Sequence, residues 1–131
     1  MTAGRVAGLT LDTGALLALD HPGKALTMQA RLEEARRRGG TICVPVSAIA
    51  QAWRGPRQVR LARLLKSRDI DLAVMTPNAA RSVGLMCART GHDDVIDVHV
   101  ALCARERHHA VVTSDPDDML RINPALPVIK A

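Results

Sequence analysis

A chain of 131 residues has the length of one domain and is long enough to enclose one apolar core. Hydrophobic residues make up 47% of it but aromatics only 1%, Trp53 alone. The core is therefore expected from Leu, Val, Ile, Ala and Met, and the aromatic platforms on which OB-folds and similar modules stack single-stranded bases are excluded. The net charge of +5 reflects 15 Arg and 3 Lys against 13 acids, a balance that suits a phosphate-bearing or acidic partner and makes any RNA contact ionic.

Val6–Leu11 reads as a strand that ends at Asp12, and Ala15–Leu19 as the helix after it, which puts Asp12 at a strand-to-helix junction. An aspartate there also serves as an N-cap. His21-Pro22-Gly23 is a turn, and Lys24–Arg38 a helix stopped by Gly39-Gly40. Arg36-Arg37-Arg38 reads as a cationic helix C-terminus. Thr41–Val44 is strand-like, Pro45 breaks it, and a helix runs through Ile49, Gln51 and Trp53. After Gly55-Pro56 comes a helix Arg57–Ser67, and its Arg57, Arg60, Arg63 and Lys66, with Arg54 ahead of it, recur every three residues and spiral slowly round the axis. This is a solvated face or a phosphate-binding one.

Leu72–Met75 is the next strand, and Pro77–Arg89 a helix capped by Thr76 and ended by Gly91. Thr90-Gly91-His92-Asp93 has capping-box spacing ahead of a helix Asp94–Arg107. Ala110–Thr113 is a further strand, Ser114–Asp118 a helix start with proline in its first turn, and Val128–Ile129 a last strand between prolines. Strands and helices alternate throughout, so residues 1–131 are expected to form a single α/β domain. Its parallel sheet is flanked by helices in three layers. In such sheets the functional crevice lies beyond the carboxyl ends of the strands, where Asp12 and Asp115 both fall.

Cys43, Cys87 and Cys103 form no CxxC pair and read as free thiols in a reducing compartment, and the five histidines show no zinc-ligand spacing with them. No signal-like N-terminus is seen, and no apolar run approaches the roughly 20 residues of a membrane span. A soluble cytoplasmic protein is the expectation.

Six of the ten aspartates lie between His92 and Asp118. Asp94 and Asp97 are three apart on one side of a largely apolar helix. Asp97 reads as too far inside that helix to be a cap. Its small neighbours Ala101 and Ala104 would let another element approach, placing it at the floor of a cleft. Were Asp12, Asp97 and Asp115 brought together, each pair at about 4 Å would repel by roughly 4 kcal/mol at an effective dielectric near 20. A hard divalent cation reverses that repulsion, and carboxylate oxygens suit Mg²⁺ or Mn²⁺ better than zinc. Such an ion supports in-line phosphoryl displacement by water. Neither a Ser-His-Asp or Cys-His constellation nor a Gly-rich phosphate loop is indicated.

In order, LTLDTGALLAL, VPVSAIAQAWRG and DDVIDVHVALCARERHHAVVTSDPDDM resemble the PIN domain, particularly the VapC-like ribonuclease toxins of bacterial type II toxin–antitoxin modules. The resemblance spans essentially the whole chain. It implies a PIN-like three-layer α/β/α fold with a short central parallel sheet, and Mg²⁺- or Mn²⁺-dependent RNA cleavage. By it Asp12, Asp97 and Asp115 fall on the family's acids, Thr113 on a polar position just before the last of them, and Asp94 and Asp117 become accessory candidates. It further implies an RNA substrate, a small cognate antitoxin and a homodimer. One departure stands out: the family's glutamate in the third-helix motif is Gln51 here. Gln51 keeps a carbonyl oxygen but removes a charge, so metal affinity should fall unless Asp94 or Asp117 compensates.

Two function classes follow. In the first the protein is a metal-dependent endoribonuclease toxin acting on structured RNA, with Asp12, Asp97 and Asp115 as metal ligands, Gln51 and Asp94 assisting, and Arg54, Arg57 and Arg60 on phosphates. In the second it is a PIN-like module that binds RNA or an antitoxin, its nuclease activity weakened or lost through Gln51. A response-regulator receiver also clusters acids at strand ends, but the N-terminal acidic pair and a central phospho-acceptor aspartate are missing.

Overall fold

A computed structural model describes residues 6–131. Within them the chain forms β1 (Gly8–Leu11), α1 (Thr13–Ala18), α2 (Ala25–Arg37), β2 (Thr41–Pro45), α3 (Val46–Ala52) and α4 (Val59–Lys66). The second half forms β3 (Ile70–Ala73), α5 (Pro77–Thr90), α6 (Val95–Arg107), β4 (Ala110–Thr113), α7 (Pro116–Ile122) and β5 (Val128–Lys130). The strands make one parallel sheet in the order β3-β2-β1-β4-β5. Every residue of β1 and β4 is buried, whereas β3 and β5 at the edges are only partly buried. A parallel sheet covered on both faces requires such uninterrupted apolar runs at its centre. The helices complete the three-layer α/β/α, PIN-like arrangement.

From β1 the chain steps outward through β2 to β3, then returns to the other side of β1 with β4 and continues to β5. The direction of winding thus reverses between β1 and β4, and at such a switch point the two following connections part and leave a crevice at the strands' carboxyl ends. Helix α6 packs beside it. Its residues Val98–Ala104 are all buried, because the helix lies against β1 and β2 on one side and α5 and α7 on others.

Three expectations are corrected. The third strand is Ile70–Ala73, two residues earlier than Leu72–Met75. β2 ends at Pro45, which pairs with Ala73, so Val74 and Met75 have no strand to pair with and are 63% and 37% exposed. Asp71 is tolerated in this edge strand because Arg107 pairs with it at 2.8 Å. The capping box does not form: Thr90 remains in α5 and its hydroxyl donates to the Met86 carbonyl. Gly91 ends α5 at φ 71°, a left-handed conformation that glycine adopts without a Cβ penalty. Asp94 caps α6 instead, accepting the amides of Ile96 and Asp97 at 3.0 and 3.2 Å. Asp97 is therefore in the first turn of α6, at the positive end of its dipole, and as expected is not its cap. Finally, α4 starts at Val59, leaving Arg57 in the preceding turn.

Candidate active site

Asp12 leaves the buried end of β1 and caps α1, its Oδ1 accepting the Ala15 amide at 2.8 Å. Only 5% exposed, its carboxyl is pushed above the usual range chiefly by burial. The Thr113 hydroxyl and the amides of Ala15 and Gly14 oppose that shift, and the charge of Asp115 adds to it. Thr113, the buried last residue of β4, also accepts the Asp115 amide on its hydroxyl at 2.9 Å. It links the first and last of the three acids. Asp115 caps α7, accepting the Asp118 amide at 3.2 Å, and its side chain faces solvent at the rim.

Asp97 comes from a different layer, and its side chain is 23% exposed. Burial raises its carboxyl first, followed by the charge of Asp94, while the adjacent His92 imidazole opposes the rise and the charge of Asp12 adds to it. Asp12, Asp97 and Asp115 line one cleft of about 270 Å³ together with Gln51, Thr113 and Asp118. Its walls are completed by α1 residues Thr13, Gly14 and Leu17 and by Ser114 and Met119. Clustered carboxylates, two of them raised by burial and mutual repulsion, constitute an oxygen-donor set that fits a hard divalent cation.

Gln51 reaches the cleft from α3, where its carbonyl oxygen accepts the Thr13 hydroxyl at 2.5 Å. Neither accessory candidate lines the cleft. Asp94 is occupied in capping α6, and Asp117 is exposed. Asp118 lines it in place of Asp117. It follows Asp115 by three residues, a spacing that puts both on one side of a helix start, and that signal was present in the sequence. His92 was also missed. Its Nε2 lies 3.4 Å from Asp97 Oδ2, and a lone histidine in a loop carries no pattern that would have marked it.

The arginines lie elsewhere. Arg54 donates to the carbonyl of its neighbour Trp53, and Arg57 is exposed in the turn before α4. Arg60 lines a separate groove of about 190 Å³ with Arg36 and Arg63. Arg54 nevertheless follows Gln51 by three residues, in a loop braced by Gln58, whose side chain accepts the amides of Arg54 and Gly55 and donates to the Ala52 carbonyl.

No protein-family profile matches the chain, and no curated protein does. Among solved structures the fold is shared with a VapC-type PIN domain. That structure is VapC20 of Mycobacterium tuberculosis, a Sarcin-Ricin loop cleaving toxin, superposing with a TM-score of 0.64 over 85% of this chain and 92% of that one. At 14% identity the likeness carries the fold. Among the described residues no helix is long and apolar enough to cross a membrane.

Proposed function

We propose that the protein is a metal-dependent endoribonuclease, the toxin of a type II toxin–antitoxin module, that cleaves structured RNA. The observation that carries this reading is the cleft at the switch point of a PIN-like fold, where acids from the ends of β1 and β4 meet one from the first turn of α6. Asp12, Asp97 and Asp115 would hold Mg²⁺ or Mn²⁺, which supplies charge neutralisation and water activation for phosphodiester hydrolysis. Thr113 orients Asp12 and Asp115, and Thr13 orients Gln51. Arg54, Arg57 and Arg60 are assigned to RNA phosphates, their guanidiniums matching phosphate oxygens. A structured RNA is favoured because the neighbour with this fold acts on a Sarcin-Ricin loop.

A cognate antitoxin, a homodimer and a cytoplasmic setting belong to the same reading. The dimer is supported by apolar side chains left outside the core, including Trp53 at 38%, Leu85 at 59% and Val95 at 52% exposure.

The test is incubation of the purified protein with ribosomal RNA hairpins in Mg²⁺, in Mn²⁺ and with chelator, beside Asp97→Asn. Cleavage that needs both the ion and Asp97 is expected; cleavage indifferent to both would discard the enzyme. The neutral Gln51 at the cleft edge favours a second reading, a module that binds RNA or antitoxin with little catalysis. Gln51→Glu separates the two: conversion from undetectable to robust cleavage would identify the binding module as the natural state.

A further inference from the structure

His92, Asp97 and Asp118 come from three segments, the α5–α6 loop and the first turns of α6 and α7. One ligand atom from each lies within 4.8 Å of the other two. Among the described residues, His92 Nε2 is the sole buried side-chain polar atom without a hydrogen-bond partner. It sits 3.4 Å from Asp97 Oδ2. The contact to Asp97 is longer than a good hydrogen bond, and a cation held between the ring nitrogen and the carboxylate would satisfy both. The surroundings hold the three donors in place. The His92 amide donates to the Thr90 hydroxyl at 3.2 Å, Asp97's own amide is fixed by Asp94 at 3.2 Å, and the Asp118 amide is fixed by Asp115 at 3.2 Å. Arg121 takes Oδ1 of Asp118 at 2.7 Å, and a carboxylate has a second oxygen to offer.

We propose that His92, Asp97 and Asp118 form a mixed nitrogen–oxygen site for a first-row transition cation, distinct in chemistry from the all-oxygen set of Asp12, Asp97 and Asp115 and joined to it through Asp97. Imidazole favours Co²⁺ and the later first-row ions, Mn²⁺ binds it more weakly alongside its oxygen donors, and Mg²⁺ prefers oxygen donors throughout. Three protein donors leave positions open for water or a phosphate oxygen. The cleft thereby discriminates among ions by a nitrogen donor that its carboxylates alone lack. Because Asp97 is shared, the proposal rests on the metal reading of the cleft.

The experiment uses untagged full-length protein, with Mn²⁺ and Co²⁺ as probes. Electron spin-echo spectroscopy of the Mn²⁺-loaded protein is expected to show coupling to an imidazole ¹⁴N, absent in His92→Leu. Calorimetric titration is expected to show Co²⁺ affinity lowered by about tenfold or more in His92→Leu and in Asp118→Asn, a loss at least as large as supporting residues of metal sites produce. Mg²⁺ affinity should stay near wild type in His92→Leu, which removes no charge from the cleft. Asp118 is only partly buried, its side chain 30% exposed, so its variant serves if His92→Leu fails to fold. Absence of ¹⁴N coupling in the wild type, or Co²⁺ affinity indifferent to Asp118→Asn, overturns the site. If ¹⁴N coupling appears but no RNA is cut with any ion, the nuclease reading fails and the site stands. If RNA is cut with Mg²⁺ while Co²⁺ binding ignores both variants, the reverse holds.

Discussion

Replacing Gly14 with alanine tests whether the cleft depends on close approach of α1 to the β4–α7 connection. A Cβ at this position would lie 2.0 Å from Ser114 Oγ and 2.5 Å from Ser114 Cβ. Ordinary carbon contacts are about 3.5–4.0 Å, so the segments carrying Asp12 and Asp115 must part by about 1 Å. Two effects oppose each other. Alanine gains about 1 kcal/mol over glycine within a helix, while overpacking of this kind costs about 1–3 kcal/mol. The clash wins, for a net loss of up to about 2 kcal/mol and a fall in Tm of a few degrees. Activity should suffer more, because a displacement of about 1 Å can cost roughly 10²-fold in rate. The assays are thermal unfolding by circular dichroism and kcat/KM on a structured RNA. Gly14→Ala combined with Ser114→Gly removes the Oγ and Cβ contacts and should recover both quantities, a coupling read directly from the double-mutant cycle. An unchanged Tm and rate in Gly14→Ala, or a double variant no better than the single one, would refute the reasoning.

Asp97→Asn should abolish metal-dependent cleavage yet raise the Tm of the metal-free protein, since it removes a carboxylate strained by burial and by the charges of Asp94 and Asp12. Asp12 and Asp97 both titrate above their ordinary 3.8, so the folded state binds their protons more tightly than the unfolded state does. Their stability contribution is fully present below the unfolded value and is lost as pH rises through the raised ones. The Tm advantage of Asp97→Asn over wild type should therefore widen between roughly pH 4 and pH 7, and a difference independent of pH would contradict the burial argument. Gln51→Glu should tighten Mn²⁺ binding in calorimetry by restoring a charge at the cleft wall; unchanged affinity would place residue 51 outside the ion's reach. Asp20 accepts the Arg60 and Leu61 amides at 2.9 and 3.0 Å, capping α4 from across the fold. Asp20→Ala should lower stability by about 1–2 kcal/mol in urea unfolding and leave RNA cleavage by the folded protein intact.

Much of the architecture was legible because its causes are local. β1 and β4 are buried apolar runs, Asp12 and Asp115 cap the helices that follow them, and Thr76 and Gly91 bound α5 as expected. Errors arose where pairing partners decided the outcome. β3 slid two residues because β2 ends at Pro45. α6 starts within one residue of expectation, but its cap is Asp94 rather than Thr90, because Asp94 found the free amides. Asp97, a first-turn acid, has a favourable place at the helix dipole as well as a place in the cleft.

By itself, then, the sequence determined the alternation of strands and helices and which acids stand at the ends of buried strands, properties set by hydrophobic period and capping chemistry over a few residues. Only the tertiary structure decided which acids meet. The reversal of winding between β1 and β4 opened the crevice, and packing of α6 beside it brought Asp97 to Asp12. The turn of α7 then selected Asp118 over Asp117 and set His92 against two carboxylates. These are encounters between residues far apart in the chain. Their geometry follows from how layers pack, and a one-dimensional pattern does not carry it.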